Sequence, residues 1–554
     1  MTISQRRKKL LEMARGNGLS DAYTATLTRL KAQKGNKSVV GLRALMWASY
    51  SERPLLAEEL CHALGVEIGS TDLDPENVPA IRTLLSSCLG LLTVEASSST
   101  VRLVHLTLQE HLLNDPTLFH SPHSAIAEIC LTYLNFGSVR DLSPSLEAAP
   151  TTMPLLGYPS VHWGEHTRRG VSENVKALAL RLLNRFDGHI SAKLLLSYNR
   201  YDFFGPYFNK EGGPAGFTGL HGVAFLGIVE VVAAIMKMEG SDVNASDCTE
   251  STALTWAAYK GWPEVVKMLL NCEDINPNHT NLGRTPLTFA AGSGHEAVVK
   301  ILLARRDVNP NPADTQYSRT PLSWAAEGGH EGVVKMLLER KGVNPGQADK
   351  DGRAPLWHAA KGGHEGVVKT LLEQRDISPD QADIQYGLTP LSLAAGGGYD
   401  GIVRMLLERK DVNPAQAHSK NGRTPLYLAA GGGHEGVVKM LLERKDINPD
   451  RAETDDNWTP LTWAAQRGHE GVVKILLERK DVNPDGADKY CRTPLQLAAS
   501  LGHEGVVKIL LERKDINPDQ VDTSAEMTPL LSAARVGHEA IVRILLGRKD
   551  INPN

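Results

Sequence analysis

Cysteine is scarce in this chain: there are six, at positions 61, 88, 130, 248, 272 and 491, and no two form a Cys-x-x-Cys pair. That scatter excludes a disulfide framework and a thiolate metal knuckle, and it reads as reduced thiols in a cytosolic protein. Charge of one sign is missing too. With 60 basic and 64 acidic side chains and a net charge of −4, no molecule-wide basic field exists to attract nucleic acid. Long apolar runs are absent: the greasiest stretch, Gly222 to Met236, carries Glu230 and falls short of the ~20 residues a bilayer span needs. The opening segment, with Arg6, Arg7, Lys8 and Lys9, is followed by no apolar region, so no secretory signal is expected there. These absences predict a cytoplasmic location and no membrane contact. A length of 554 residues suggests three or four domains, or fewer if part is a repeat array.

What the chain does have is a repeat. The unit Thr-Pro-Leu-x-x-Ala-Ala-x-x-Gly-His-Glu-x-Val-Val-Lys-x-Leu-Leu begins at Thr218, Thr252, Thr285, Thr320, Ala354, Thr389, Thr424, Thr459, Thr493 and Thr528, at spacings of 33 to 35. From Thr252 to Asn276, Thr285 to Asn309 and Thr424 to Asn448 the distance is always 24, and the length variation follows that Asn. A fixed core with a variable loop is what stacking demands, because a packed face tolerates no insertion and a solvated loop does. In Thr320-Pro-Leu-Ser-Trp-Ala-Ala326, Thr can cap a helix and Pro suits its first turn. Gly329 ends that helix and His330-Glu331 opens a second, with Val333, Val334, Leu337 and Leu338 on one face. Glu339-Arg-Lys reads as the solvated end.

These ten units resemble the ankyrin repeat from Phe217 to Asn554. The family usually has His after Thr-Pro-Leu, which here occurs only as His221; the other units imply a variant hydrogen-bond scheme between helices. The first unit is longer, with 26 residues from Thr218 to Asn244, and is expected to cap the array against what precedes it. The last keeps Ile541, Val542, Ile544 and Leu545 without a polar cap, so the natural array is expected to have continued, or this end to fray or self-associate.

The first two hundred residues differ. Residues 20–33, 38–49, 51–64 and 75–88 read as helices, and Leu91-Leu-Thr-Val-Glu95 with Thr100-Val-Arg-Leu-Val-His105 as a hairpin. Helices followed by a hairpin make a winged-helix arrangement. Arg53-Pro-Leu, Cys88-Leu-Gly-Leu-Leu-Thr-Val, Arg102-Leu-Val-His-Leu-Thr-Leu-Gln-Glu110 and Tyr158-Pro-Ser-Val-His-Trp-Gly-Glu-His166 resemble the winged-helix and linker region of fungal NLR-like, NACHT-type proteins. That family carries a P-loop NTPase immediately upstream. None is here: Gly35-Asn-Lys-Ser38 lacks the loop spacing. The resemblance therefore implies a partial gene product or a cut-down paralogue.

The expected fold is mainly α: a basic extension (1–18), a winged-helix-like module (19–118), a helical linker (119–216) and an ankyrin solenoid of about ten units (217–554). No catalytic residue, metal site or cofactor is expected. No Ser/His/Asp or Cys/His set stands out from the repeat background, and only a pocket in 119–216 would support a cryptic enzyme. The Gly-His histidines would stack ~10 Å apart, too far to share an ion whose ligands lie at ~2 Å. His105 is the one cofactor candidate: the resemblance implies contact with the β-phosphate of ADP, whereas a histidine at a strand end ordinarily serves structure. Duplex DNA binding through 75–88 is the alternative function, disfavoured because only Arg82 is basic there. The main expectation is an interaction scaffold, the ligand-recognition arm of an NLR-like innate-immunity or heterokaryon-incompatibility receptor. A protein partner would meet the concave face and the loop tips at Tyr317, Lys350, Asp351, Tyr386, Lys420, Asn421, Asn457, Trp458, Lys489 and Tyr490, since stacked units bind through positions free to differ.

Overall fold

The computed structural model describes residues 17–143, 146, 149–198 and 215–552. The Arg6–Lys9 run, linker residues 199–214 and Asn554 lie outside the described residues. The chain divides into two compact units, Met1–Asn281 and Leu282–Asn554. Among the described residues no helix is long and apolar enough to cross a membrane.

The first unit opens with helices α1 (Asn17–Lys31), α2 (Lys37–Tyr50), α3 (Ala57–Gly65) and α4 (Ile81–Ser87), strands β1 (Leu92–Val94) and β2 (Val101–Leu103), and helix α5 (Leu106–Leu113). The strands pair antiparallel with Leu92 opposite Leu103 and Val94 opposite Val101. Trp47, Leu60, Leu84, Leu92, Val101 and Leu108 form the core beneath them.

Two helices are shorter than the sequence predicts, and proline explains both. Pro54 disfavours helical backbone at Arg53, so the chain runs extended through Leu55, whose carbonyl accepts the Val101 amide at 2.8 Å; helix α3 begins only at Ala57. The segment predicted as helix 75–88 is split. Pro75–Asn77 is a single 3₁₀ turn capped by Asp74, and the second proline, Pro79, delays α4 to Ile81.

Helices α6 (Pro122–Leu134), α7 (Gly137–Arg140), α8 (Gly157–Arg169), α9 (Glu173–Leu183) and α10 (Ile190–Tyr198) follow. Trp163, Tyr133, Phe136 and Phe186 are buried among them. Two repeat units complete this half: α11 (Gly219–Leu226) with α12 (Val229–Ile235), and α13 (Ala253–Lys260) with α14 (Pro263–Leu270). The irregular first repeat is accounted for by its neighbours. A Cβ on Gly222 would lie 2.5 Å from the Phe186 ring, so glycine lets the preceding helices close onto α11. Arg168 of α8 donates to the Leu226 carbonyl at 2.7 Å and covers the Trp262 ring at 4.3 Å.

The second unit consists of eight helix pairs among the described residues, from Pro286–Gly292 with Glu296–Ala304 to Pro529–Val536 with Glu539–Leu546. Thr320 accepts the Ser323 amide at 3.2 Å, and the same cap recurs at Thr389, Thr459 and Thr493. The paired alanines, such as Ala325 and Ala326, are fully buried and let neighbouring first helices meet. Position three after the Thr varies in chemistry and in partner. Ser323 bonds Thr320 Oγ1, Trp357 donates to the Leu388 carbonyl at 2.9 Å, and Gln496 donates to the Met527 carbonyl at 2.8 Å.

The Glu-Arg-Lys-Asp runs are not merely solvated ends. Arg479 forks onto Asp481 at 2.9 and 2.5 Å while its third nitrogen donates at 2.9 Å to the Leu442 carbonyl of the previous repeat. Arg409, Arg444, Arg513 and Arg548 repeat the arrangement. Each guanidinium thus satisfies a carbonyl at the end of a neighbouring helix, where cations are favoured.

Candidate functional site

The loop tips of the second unit form a hydrogen-bonded ladder. Lys350 N–H donates to the Tyr317 carbonyl, Ile384 to Asp351, Ser419 to Tyr386, Thr454 to Asn421, Lys489 to Asp456 and Thr523 to Tyr490, all between 2.8 and 3.0 Å. A buried carboxylate folds most of the tips, with the buried His418 in its place at the finger that carries Lys420 and Asn421. Asp314 accepts the Tyr317 amide at 2.6 Å, Asp383 the Tyr386 amide at 3.3 Å and Asp488 the Tyr490 amide at 2.8 Å. An acidic side chain bonded to backbone a few residues on is how Asp makes a tight turn. The fingers are therefore ordered presenters.

On this ladder the predicted partner residues fall into two groups. Tyr386 and Tyr490 are 41% and 40% exposed, and each carries a cation on its ring: Lys420 at 4.4 Å over Tyr386, Lys489 at 5.1 Å and Arg492 at 5.0 Å over Tyr490. Tyr317, half-buried, lies between Lys350 and Arg319 at 4.9 and 5.1 Å. Ile384, not singled out from sequence, is the most exposed large apolar side chain among the described residues at 75%. Trp458 belongs to the second group. It packs on Trp463 with centroids 5.0 Å apart and donates to Asp488 at 3.3 Å. Asn457 sits at positive φ (59°) and donates to the Ala487 carbonyl at 3.0 Å. Trp463 continues the shelf, stacked on Tyr427 with planes 5° apart and covered by Arg467 at 4.4 Å. Asp351 and Asn421 serve the ladder through their carbonyls.

The Gly-His histidines are structural cross-ties. Nε2 of His330, His364, His434, His469, His503 and His538 each donates to a carbonyl of the preceding repeat, at 2.9 to 3.2 Å.

His105 caps α5: its Nδ1 accepts the Thr107 amide at 3.2 Å. It also borders a cavity of about 450 Å³ whose walls include Trp47, Glu52, Arg53, Leu55, Leu103 and Gln109. That hollow lies in the winged-helix-like module, not in 119–216.

A polar cluster that sequence reasoning missed lies at the junction of that module with the next helices. Nδ1 of His123 and Nδ1 of His166 are 2.9 Å apart, and His166 Nε2 is 2.8 Å from Tyr158 Oη, which accepts the Glu52 amide at 3.0 Å. Arg169 pairs with the Glu52 carboxylate at 2.5 Å. Burial pushes the His166 imidazolium down to about 3, helped by the adjoining His123, His162 and Arg169. Burial and then Arg169 lower His123 as well. Tyr158 and His166 stand in one quoted string, but their partners are remote in sequence and nothing in the pattern announces them.

Comparison with known families places these features. The model described as "Ankyrin repeats (3 copies)" matches in seven overlapping stretches from residue 220 to 554. The model described as "GPI inositol-deacylase, winged helix domain" matches residues 27–127. No curated protein is similar enough to count as a relative. Among solved structures, the human ASB11 ankyrin repeat domain is 28% identical, covering 42% of this chain and 100% of its own, with a TM-score of 0.36.

Proposed function

Residues 220–554 make this chain a member of the ankyrin-repeat family, and from that premise we propose that it is a non-catalytic cytoplasmic scaffold whose repeat fingers hold a protein partner. One observation carries the reading. The recurring Thr, Leu, Ala and Val of the repeats are buried and the recurring His and Arg tie one repeat to the next, whereas Ile384, Tyr386 and Tyr490 project from an ordered ladder with 40% or more of their surface open. Rigid aromatic tips flanked by Lys and Arg supply large contact area with polar ends, the composition favoured at protein interfaces. The winged-helix module then acts as a mount. In the finer form of the proposal, the chain is the recognition arm of an NLR-like receptor concerned with innate immunity or heterokaryon incompatibility. The motif strings around Arg53, Cys88, Arg102 and Tyr158 support that form. Helix α4 has a single basic side chain, Arg82, and Arg102 on the hairpin is paired with Glu95 at 3.0 Å, which speaks against a DNA-reading wing.

Proximity labelling in the native cell tests the proposal, comparing the intact chain with Tyr386→Ser/Tyr490→Ser and with Arg82→Glu. Proteins lost with the tyrosine pair but kept with Arg82→Glu support the fingers. An unchanged set in the tyrosine variant, or retention of duplex DNA that Arg82→Glu abolishes, overturns the reading.

A further inference from the structure

Glu52, His123 and His166 come from three separate places: the loop after α2, the first turn of α6 and the last turn of α8. One donor atom of each lies within 4.8 Å of the others. The two facing Nδ1 atoms, 2.9 Å apart, cannot both present lone pairs to the gap unless a proton or a cation lies between them. Two nitrogens bound to one ion at ~2.0 Å in a tetrahedron stand ~3.3 Å apart, so a shift of a few tenths of an ångström admits one. The rest of the assembly resembles a metal's outer shell. His166 uses its second nitrogen on Tyr158 Oη, and that oxygen is itself anchored by the Glu52 amide. A ligating imidazole is held in this way, its far nitrogen hydrogen-bonded so that the near one offers a lone pair.

The geometry points to a three-ligand site for a divalent ion of the zinc class, formed by Glu52, His123 and His166, which clips the winged-helix-like module to helices α6 and α8. Two imidazoles and one carboxylate suit zinc and its neighbours, not calcium or magnesium. Arg169 is the competing cation, holding Glu52 Oε1 at 2.5 Å and Oε2 at 3.4 Å. A carboxylate offers about four lone-pair positions, so one oxygen can keep Arg169 while the other turns to the ion. His166 is fully buried and His123 half-buried, while Glu52 is exposed as a residue with its side chain 21% open, which leaves a path for entry and a fourth coordination position open to water. Tyr50 closes one side, its ring edge-on to His123 at 5.5 Å. Because ligands from three elements converge only in the folded chain, the ion would bind the native state and stabilise it.

The full-length chain, stripped with a chelator, is titrated with zinc chloride by calorimetry and with cobalt(II) as an optical probe. His123→Gln, Glu52→Gln and Tyr158→Phe are compared with His330→Gln, whose histidine serves only the repeat ladder. The site predicts one tight equivalent in the wild type and in His330→Gln. Binding should be at least about tenfold weaker in His123→Gln and Glu52→Gln, with a loss of ~10-fold or more in Tyr158→Phe. Zinc should raise the thermal midpoint of the wild type and not that of His123→Gln. The proposal is overturned if the wild type shows no tight equivalent, or if both ligand variants bind zinc as the wild type does. Should His123→Gln fold poorly by circular dichroism, Glu52→Gln alone decides.

Discussion

Arg53 grips Glu59 with two guanidinium nitrogens, at 2.8 and 2.6 Å, and the same carboxylate accepts the Leu56 amide at 2.8 Å. Glu59 is 3% exposed, so this one acid closes the N-terminus of α3 and neutralises the arginine that stacks over Tyr158 at 5.3 Å. Arg53→Ala strands a buried carboxylate. Because Arg53 is itself 36% exposed along its side chain, the expected loss is about 2 kcal/mol, below that of a fully buried pair. Arg53→Lys, which cannot form the fork, should lose about 1 kcal/mol. Urea unfolding followed by tryptophan fluorescence gives both numbers, and a wild-type midpoint in Arg53→Ala would remove the pair from any account of this module.

Gly328 lies at the end of a repeat helix with ordinary negative φ (−77°), where alanine commonly stabilises by ~0.5–1 kcal/mol. Here the sign should reverse. A Cβ would fall 2.5 Å from Nε2 of His330, the nitrogen that donates to the Gly292 carbonyl at 3.1 Å. Gly328→Ala must displace the ring and break the tie, costing about 1–3 kcal/mol. His330→Gly in the same background should recover part of the loss. If Gly328→Ala is neutral or stabilising, the histidine ladder does not pack as described.

Two sets of aspartates give the array opposite responses to pH. Asp380, Asp450 and Asp485 each accept the amide of an Asn one repeat on, at 2.6 to 2.8 Å, and burial raises all three above the ordinary value of 3.8. Their ionisation is harder in the folded state, so they favour folding below the unfolded value, and that contribution is lost as pH rises through the folded one. Asp411, Asp446 and Asp481 are lowered, first by their arginine forks. They stabilise above the unfolded value, and this is lost as pH falls through the depressed one. Denaturant midpoints measured from about pH 3 to about pH 7 should show Asp380→Asn/Asp450→Asn/Asp485→Asn gaining on the wild type as pH rises. A parallel offset at every pH would contradict the burial argument.

Much of the array was readable from sequence because one unit is written ten times. Thr caps, Pro at the first turn and paired alanines follow local rules, and register across copies removes ambiguity. What stayed hidden depends on neighbours. That the repeated arginines hold carbonyls of the preceding repeat, or that Gly222 yields to Phe186, is set by packing between elements. Pro54 and Pro79 stand inside the segments read as helices 51–64 and 75–88, and each holds the start of its helix back, to Ala57 and to Ile81. The Glu52–His123–His166 cluster is the extreme case, since its members share no spacing and meet only after three helices dock.

The fingers permit a last separation, between residues that hold the array and residues left for a partner. Trp458 is half-buried, lies on Trp463 and donates to Asp488, a carboxylate that Arg492 also holds at 2.7 Å. Its removal forfeits an aromatic pair and apolar burial and leaves the finger turn less supported, so Trp458→Ala should cost about 1–3 kcal/mol. Tyr386→Ala removes a 41% exposed ring and a cation contact at the surface, for which ~0.5 kcal/mol is the expected scale. If the fingers are the binding surface, the order inverts for association. Tyr386→Ala then weakens capture of the labelled partner at nearly unchanged stability, while Trp458→Ala reduces capture no more than its unfolded fraction accounts for. Thermal midpoints and capture yields on the same two preparations decide it. Loss of capture that tracks stability in both variants would mean the exposed tyrosine is a bystander.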